Sequence, residues 1–330
     1  MSHSKEIISY MNRLGSEAKE ASSVLAQASI EQRNASLDFI AEAIELNRDK
    51  ILSTNQKDLE LAKQKSIGSA LIDRLELNDN RIDSMISGLK IVSDLPDPVG
   101  EITDLDPTPS GIEVKKMRVP LGVVGIIYES RPNVTADAAA LCLKSGNSCL
   151  LRGGSEAILS NKIIWSCLQK GLNKSGLPKE CVQLVETTDR EAVKTLLHLD
   201  EYLDVVIPRG GKGLVQLISD ESRIPVIKHL DGICHVFIDK DADHQKAQDI
   251  AFNAQTYRYG ICGAMETLLI HSEIADSLLP SLTRRFESEG VELRGCDKTL
   301  EISEMVAANE DDWSTDCLLY TSDAADESTG

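Results

Sequence analysis

The sequence lacks the features that would place it in a membrane or on a nucleic acid. No run approaches the ~20 apolar residues that a membrane-spanning helix needs, and the segment from Met1 to Lys5 is not an apolar signal segment. Basic residues are too few for a nucleic-acid-binding face, since the net charge is −18. We therefore expect a cytoplasmic protein that binds neither nucleic acid nor membrane.

The spacing of the cysteines also excludes a site type. The chain has eight cysteines, but no two form a CxxC pair and no Cys/His cluster repeats at the spacing of zinc ligands. We expect no metal site, and in the cytoplasm the thiols should stay reduced.

The first hundred residues have the pattern of amphipathic helices. Leu37, Ile40, Ala41 and Ile44 recur at the spacing of one buried helix face, and a Ser29–Gln32 capping box precedes them. Residues 101–119 differ, because a turn cluster of Asp, Pro, Ser and Gly separates two short segments of mixed apolar and charged residues. They predict an exposed hairpin. Contact within an oligomer and a plain surface ribbon both remain open for it.

From residue 120 the chain alternates short β-rich runs with segments of helical length. The runs are Val123–Tyr128, Ser148–Leu151, Val182–Val185, Asp204–Ile207 and Pro225–Ile227. This alternation predicts an α/β protein with a Rossmann-type parallel sheet over residues 120–232. A second α/β segment follows over residues 233–315. Residues 316–330 are small, polar and acidic, and we expect disorder there.

Two glycine-rich segments follow predicted strands of this sheet. Backbone N–H groups at such turns suit a pyrophosphate, and glycine allows close approach of a ligand, although each turn alone is a weak signal. The candidate cofactor-binding residues are Arg152, Gly153, Gly154, Ser155 and Glu156 in the first segment and Pro208, Arg209, Gly210, Gly211 and Lys212 in the second.

One cysteine differs from the others in its surroundings. Cys262 lies in the glycine-flanked segment Tyr257–Gly263, just before the apolar run Leu268–Ile270. A thiolate on a loop ahead of a buried strand can be reached by substrate and is a strong nucleophile where its pKa is lowered. We predict Cys262 as the catalytic nucleophile.

Polar residues follow the first strand of the predicted sheet. The amide of Asn133 is a candidate donor to the oxyanion that forms when a thiolate attacks a carbonyl. The alternative is that Asn133 caps the next helix. Glu129, Arg131 and Arg258 are candidate ligands for the charged ends of an amino-acid substrate, and Glu129 and Arg131 alternatively pair with each other.

Taken together, these segments resemble the aldehyde dehydrogenase superfamily and, within it, the family of gamma-glutamyl phosphate reductases. The similarity extends from the N-terminal helices to about Thr315. It rests on the strings VPLGVVGI, YESRPNVT, LRGGSEA and VIPRGG, and on Cys262 with ETLL after it.

The resemblance implies a cofactor domain whose N-terminal helices are residues 1–100, an oligomerisation hairpin, and a catalytic domain that is incomplete at its C-terminal end. It implies NADPH as cofactor, L-glutamyl 5-phosphate as substrate, phosphate as product, a possible glutamate 5-kinase partner and a homo-oligomer at full length. It puts Cys262 at the nucleophile, Asn133 at the oxyanion position, and both glycine-rich segments at the cofactor.

One departure from the superfamily bears on the reaction. Hydrolytic members have a glutamate base in a Glu-Leu-Gly-Gly segment, whereas this chain has His229-Leu230-Asp231-Gly232. A base that activates water would hydrolyse the thioacyl intermediate, so its replacement favours a reductase. An NAD(P)-dependent aldehyde dehydrogenase that forms free acids and an inactive fragment remain the alternatives.

Overall fold

The computed structural model describes residues 3–105, 112–228, 232–257 and 263–314. The chain divides into two compact units, unit 1 (Met1–Lys228) and unit 2 (His229–Gly330). The predicted tail at 316–330 and the predicted hairpin turn lie outside the described residues.

The N-terminal region of unit 1 is helical, as its periodicity predicts. The helices are α1 (His3–Leu25), α2 (Ile30–Leu46), α3 (Arg48–Gln64), α4 (Ser69–Leu75) and α5 (Asp79–Asp94). The predicted face of α2 is buried. Ser29 Oγ accepts from the Gln32 backbone N–H at 3.3 Å, whereas the Gln32 side chain donates to Ser175 O. Half of the predicted capping box therefore forms.

The predicted hairpin is an antiparallel ribbon of β1 (Ile102–Asp104) and β2 (Lys115–Met117). Ile102 pairs with Met117, and both side chains are more than half exposed. The ribbon thus exposes apolar side chains to solvent, a feature typical of a surface that contacts a partner.

The rest of unit 1 is the predicted parallel α/β sheet. Its elements are β3 (Val123–Tyr128), α6 (Val134–Lys144), β4 (Ser148–Arg152), α7 (Ile158–Ser175), β5 (Val182–Leu184), α8 (Arg190–Leu196), β6 (Val205–Arg209) and α9 (Lys212–Glu221). The strands pair in the order β5-β4-β3-β6, and every pairing is parallel. Short 3₁₀ turns at Ser155–Ala157 and Lys179–Cys181 precede α7 and β5.

Strand β3 is buried along its whole length because both faces of the sheet are covered. Val124, Ile126 and Tyr128 belong to the core formed with α2, α5, α6 and α7. Val123 and Ile127 point to the other face, into the core formed with α1, α8 and α9. The alternation along the strand thus joins two hydrophobic cores across one sheet.

The predicted run Pro225–Ile227 does not form a strand of the sheet. It makes a single parallel bridge, between Val226 and Val206, in which Val206 N donates to Pro225 O and Ile227 N donates to Val206 O. Proline has no N–H to extend the ladder at position 225, so pairing stops after one residue.

Unit 2 is a smaller α/β body with its own core. Its elements are β7 (Cys234–Ile238), α10 (His244–Thr256), β8 (Met265–Ile270), α11 (Ser272–Ser288), β9 (Arg294–Gly295), α12 (Asp297–Leu300) and β10 (Val306–Ala307), followed by a 3₁₀ turn at Glu310–Ser314. Strands β7 and β8 are parallel, and α10 and α11 pack beside them around Met265, Leu278, Leu282 and Phe286. The predicted strand after Cys262 is therefore confirmed.

Two negative findings apply to the described residues. None of their helices is both long enough and apolar enough to cross a membrane. No group of three or more His, Cys, Asp or Glu side chains in the described ranges is placed to hold a metal ion.

Candidate functional site

The polar loops of unit 1 leave the sheet at one edge. In the pairing register Ile127 lies opposite Arg152, and Tyr128 lies opposite Arg209, so β3, β4 and β6 end side by side. The carboxyl ends of parallel strands are where α/β sheets bind ligands. The two glycine-rich segments and the Glu129–Asn133 segment therefore meet at the edge where the sequence placed them.

The loop after β6 has the geometry of an anion site. The backbone of Gly211 precedes α9, and no atom lies within 4 Å of the position that a Cβ would take at Gly211 or at Gly213. Arg209, Gly210 and Gly211 are exposed, whereas Pro208 is buried within β6. The Cβ positions of Gly211 and Gly213 thus face open space at the start of a ten-residue helix, which allows close approach of a phosphate group to the backbone.

Glu129 shares this loop. Its carboxylate accepts a hydrogen bond from the Gly211 N–H at 3.0 Å, and its own N–H donates to Arg209 O at 3.2 Å. A Cβ on Gly210 would come within 2.6 Å of the Glu129 carboxylate. The predicted substrate residue thus contacts the predicted cofactor loop in unit 1.

The loop after β4 is more enclosed. Gly153 and Gly154 are buried, and among the predicted cofactor residues of this loop only Ser155 is exposed. The Glu156 carboxylate accepts from Ser130 N at 2.7 Å and from Ser130 Oγ at 2.9 Å. Ser130 has a φ of +50°, a left-handed conformation that is strained for a non-glycine residue and that these two hydrogen bonds compensate.

Arg152 is turned toward its own loop. Its Nη1 donates to Gly153 O at 2.6 Å and its Nη2 to Thr188 O at 3.4 Å. Burial lowers the pKa of Arg152, and the nearby charge of Glu156 raises it in part. Two buried donors beside Gly153, Arg152 Nε and Asn161 Nδ2, have no hydrogen-bond partner among the described residues. They are donors that an anion or a water molecule at this loop would satisfy.

Asn133 does not cap α6 with its side chain. Of the described residues, none in the first turn of α6 donates to the Asn133 side chain as a cap would require. Its amide nitrogen instead donates to Asp137 Oδ2 at 2.8 Å, one helical turn along α6. The capping alternative is wrong, because Asn133 is itself in helical conformation, with φ of −58° and ψ of −29°.

Arg131, which lies between Glu129 and Asn133 in the sequence, is exposed. Its backbone N–H donates to Glu129 O at 2.6 Å. Cys262 and Arg258, predicted as nucleophile and substrate ligand, lie outside the described residues. So do His229, Leu230 and Asp231 of the segment that replaces the glutamate base. Helix α10 ends at Thr256, before Arg258 in the chain, and β8 begins at Met265, after Cys262.

Four other cysteines are buried in unit 1 and are poor nucleophiles: Cys142, Cys149, Cys167 and Cys181. A hydrogen bond of the Cys149 thiol with Cys142, together with burial, raises the pKa of Cys149, and burial is the main cause that raises the pKa of Cys181 to about 12. Burial also raises the pKa of Cys167. The thiols of Cys149, Cys167 and Cys181 are thus held in the unreactive protonated form.

Cys296 in unit 2 behaves in the opposite way. It is exposed, and hydrogen bonds from the side chain and then the backbone of Thr299 lower the pKa of its thiol. It lines a cleft of about 1200 Å³ within unit 2, beside Thr299 and Leu282. Sequence reasoning missed this thiol, since Cys296 has a glycine on one side only, Gly295, and no long apolar strand after it.

Comparison with known proteins agrees with the resemblance noted in the sequence. The model of the aldehyde dehydrogenase family matches residues 9–315. The crystal structure of gamma-glutamyl phosphate reductase from Thermotoga maritima is 44% identical, with a TM-score of 0.86, and the match covers 93% of this chain and 75% of that one. The corresponding reductase from Saccharomyces cerevisiae is 35% identical, with a TM-score of 0.62, over 91% of this chain and 72% of that one.

A more distant structure shows the same fold. A probable aldehyde dehydrogenase from Listeria monocytogenes is 17% identical, with a TM-score of 0.61, over 91% of this chain and 62% of that one.

Proposed function

Because the chain belongs to the aldehyde dehydrogenase family, we propose that it is an oxidoreductase that reduces L-glutamyl 5-phosphate to L-glutamate 5-semialdehyde and phosphate. The observation that carries this proposal is the similarity to the two gamma-glutamyl phosphate reductases, which extends over nine tenths of the chain. The reaction would serve proline biosynthesis in the cytoplasm, with NADPH as the reductant.

Cys262 carries the covalent chemistry in this proposal. Its thiolate attacks the carbonyl carbon of the acyl phosphate, a carbon–sulfur bond forms, and the bond to the phosphate oxygen breaks with release of phosphate. The resulting thioester divides one difficult reduction into two easier steps. NADPH, when bound, supplies the hydride that reduces the acyl carbon. The Cys262 sulfur then leaves as the thiolate, and the aldehyde is released.

Asn133 stabilises the charge that develops during the attack. The amide nitrogen uses one N–H for Asp137 and retains a second that can donate to an oxyanion. The finding that Asn133 is not a helix cap supports this role, since a capping side chain would present its oxygen to the helix.

The residues of unit 1 fit a dinucleotide in the loop after β6. Gly211 leaves open space at the N-terminus of α9, and Arg209 supplies a cation there. In the loop after β4, Ser155 is exposed and Arg152 has a buried unpartnered nitrogen. We propose that Arg209, Gly210, Gly211 and Lys212 hold the phosphates, and that Arg152, Gly153, Gly154, Ser155 and Glu156 line the neighbouring part of the cofactor site.

The charged side chains at the site complete the proposal. Arg131 and Arg258 would bind the carboxylate and phosphate of the substrate, and Glu129 its amino group.

An acyl phosphate hydrolyses readily, which favours direct transfer from a glutamate 5-kinase that makes it. The apolar side chains exposed on the β1–β2 ribbon suit a homo-oligomer contact.

Phosphate dependence tests the proposed reaction. In the oxidative direction, with glutamate 5-semialdehyde and NADP⁺, the proposal predicts that NADPH absorbance rises only when inorganic phosphate is present. An aldehyde dehydrogenase that forms free acids would reduce NADP⁺ equally well without phosphate, and this result would overturn the proposal.

The remaining alternative, an inactive fragment, is tested by thermal unfolding. A competent cofactor site predicts a cooperative transition that NADPH shifts upward, because a ligand that binds only the native state stabilises it. A broad transition that NADPH leaves unchanged would favour the fragment.

A further inference from the structure

We propose that Asp137 is a positioning residue that fixes the direction of the Asn133 side-chain amide; this rests on the proposed function, in which Asn133 holds the oxyanion. The observation is the hydrogen bond from Asn133 Nδ2 to Asp137 Oδ2, at 2.8 Å. Asn133 immediately precedes α6 and Asp137 lies four positions later in its first turn, at the spacing where helical side chains meet.

The chemistry of the pair determines which end of the amide faces which way. An ionised carboxylate only accepts hydrogen bonds, so it selects the nitrogen of the Asn133 amide and repels its oxygen. The terminal torsion of asparagine is otherwise broad and roughly two-fold. Without Asp137 the amide can turn its oxygen toward a developing oxyanion, where it would repel the charge. With Asp137, one N–H is held and the other is presented in a fixed direction.

The surrounding turn is rigid enough for this to matter. The Asp137 N–H donates to Asn133 O at 3.0 Å, which closes the first turn of α6. Thr135 between them is fully buried, and its hydroxyl bonds to Tyr128 at 2.7 Å and to Asn161 at 3.1 Å. The backbone that carries Asn133 is therefore fixed to β3 and α7, and the remaining freedom lies in the amide that Asp137 holds.

The Asp137 side chain is half-buried and lies beside α5. Its second carboxylate oxygen faces α5, where a Cβ on Gly88 would lie 3.9 Å away. Burial raises the pKa of the Asp137 carboxyl, and the hydrogen bond from Asn133 lowers it in part. A carboxylate is costly at a half-buried position unless its hydrogen bond is useful.

The competing explanation is that Asp137 only stabilises the first turn of α6 through the helix dipole. The two explanations differ in one respect. A purely structural Asp137 affects turnover whether or not Asn133 is present, whereas a positioning Asp137 acts only through the Asn133 amide.

A double-mutant cycle separates them. The variants are Asn133→Ala, Asp137→Ala and the double variant, with kcat and KM for phosphate measured in the oxidative direction and with melting temperatures for each protein. Asp137→Asn, which keeps an oxygen acceptor, is expected to fall between wild type and Asp137→Ala. The matched control is Asp220→Ala, because Gln216 Nε2 donates to Asp220 Oδ1 at 2.8 Å in the same four-residue spacing on α9.

The proposal predicts a loss that depends on Asn133. Since an oxyanion donor contributes about 10²–10³ in kcat, Asp137→Ala should lower kcat about tenfold or more in the wild-type background. In the Asn133→Ala background it should change kcat less than about twofold, because coupled residues are non-additive. KM for phosphate and the Asp220→Ala control should stay near wild type.

Other outcomes overturn different statements. An equal loss in both backgrounds, or no loss in either, would overturn the positioning role and leave the reductase proposal standing. Wild-type turnover by Asn133→Ala would overturn the oxyanion role of Asn133 and the positioning role with it. No phosphate-dependent turnover by the unmodified chain would overturn the proposed function.

A measurement independent of turnover then tests the contact by itself. The Asn133 side-chain amide protons, assigned by NMR through their loss in Asn133→Ala, should include one shifted downfield by the carboxylate. That shift should vanish in Asp137→Ala, and an unchanged amide spectrum would overturn the proposal.

Discussion

The Glu129 carboxylate lies 3.0 Å from the Gly211 N–H and accepts its hydrogen bond at the N-terminus of α9. A protein carboxylate thus occupies the position that a cofactor phosphate would favour. Two negative groups cannot share this N–H, so binding of a dinucleotide phosphate at Gly211 requires Glu129 to move away.

The first prediction follows from this competition. Glu129→Gln replaces the charge with a neutral amide that competes less well for the helix N-terminus, a difference of about 0.3–1 kcal/mol. We expect NADPH to bind about two- to fivefold more tightly, as measured by fluorescence titration. Glu221→Gln at the other end of α9 is the charge-matched control and should leave the affinity unchanged. Weaker binding by Glu129→Gln would mean that Glu129 contacts the bound ligand directly.

The second prediction concerns Gly153 in the loop after β4. A Cβ there would overlap Asn161 Nδ2 and come within 3.0 Å of the Tyr128 ring. Gly153→Ala should therefore destabilise the protein by ~1–3 kcal/mol, seen as a lower urea midpoint. Gly213→Ala is the control, since nothing lies near its Cβ position and alanine favours a helix by ~0.5–1 kcal/mol. A midpoint for Gly153→Ala equal to wild type would contradict the packing described for this loop.

The third prediction concerns thiol reactivity. Because hydrogen bonds from Thr299 lower the pKa of Cys296, its thiolate fraction should rise at a lower pH than that of an ordinary cysteine. Thr299→Val removes the hydroxyl donor, so iodoacetamide alkylation of Cys296, followed by peptide mass spectrometry, should shift to higher pH. Cys149 and Cys181 should stay unmodified in the native protein at every pH tested. An unchanged pH profile in Thr299→Val would contradict the assigned cause.

The fourth prediction concerns the β1–β2 ribbon. Ile102 and Met117 pair across it, whereas Lys116 lies on the alternate face. If the ribbon forms an oligomer contact, replacing both Ile102 and Met117 with serine should reduce the native mass measured by light scattering. Exposed substitutions change stability by only about ±0.5 kcal/mol, so the melting temperature should hold. Lys116→Ser is the control, and an unchanged mass in the double variant would favour a plain surface ribbon.

The sequence predicted the elements of unit 1 well because their burial is regular. Strand β3 has the predicted bounds, and the helical face of α2 is buried as its periodicity requires. The run at 225–227 was wrongly predicted as a strand, since its apolar composition favours one but Pro225 has no N–H with which to extend the pairing beyond one bridge.

The site was predicted less completely, for a physical reason. The sequence identified the three loops, but the contacts Glu129–Gly211 and Ser130–Glu156 join residues 82 and 26 positions apart, and no local pattern reports such pairs. The Asn133–Asp137 pair is different, because its spacing of four at the start of a predicted helix was a usable signal. The sequence left two roles open for Asn133, an oxyanion donor and a helix cap, and neither pointed to Asp137. The backbone conformation then showed that the Asn133 side chain is not a cap.

The most direct test of the central claim compares two cysteine variants in the phosphate-dependent assay, with NADPH binding measured in parallel. The proposed mechanism predicts that Cys262→Ser loses essentially all turnover and still binds NADPH, whereas Cys296→Ser, which removes an exposed thiol with a lowered pKa, turns over like wild type. Wild-type turnover by Cys262→Ser, or loss of turnover in Cys296→Ser alone, would contradict the assignment of Cys262 as the nucleophile.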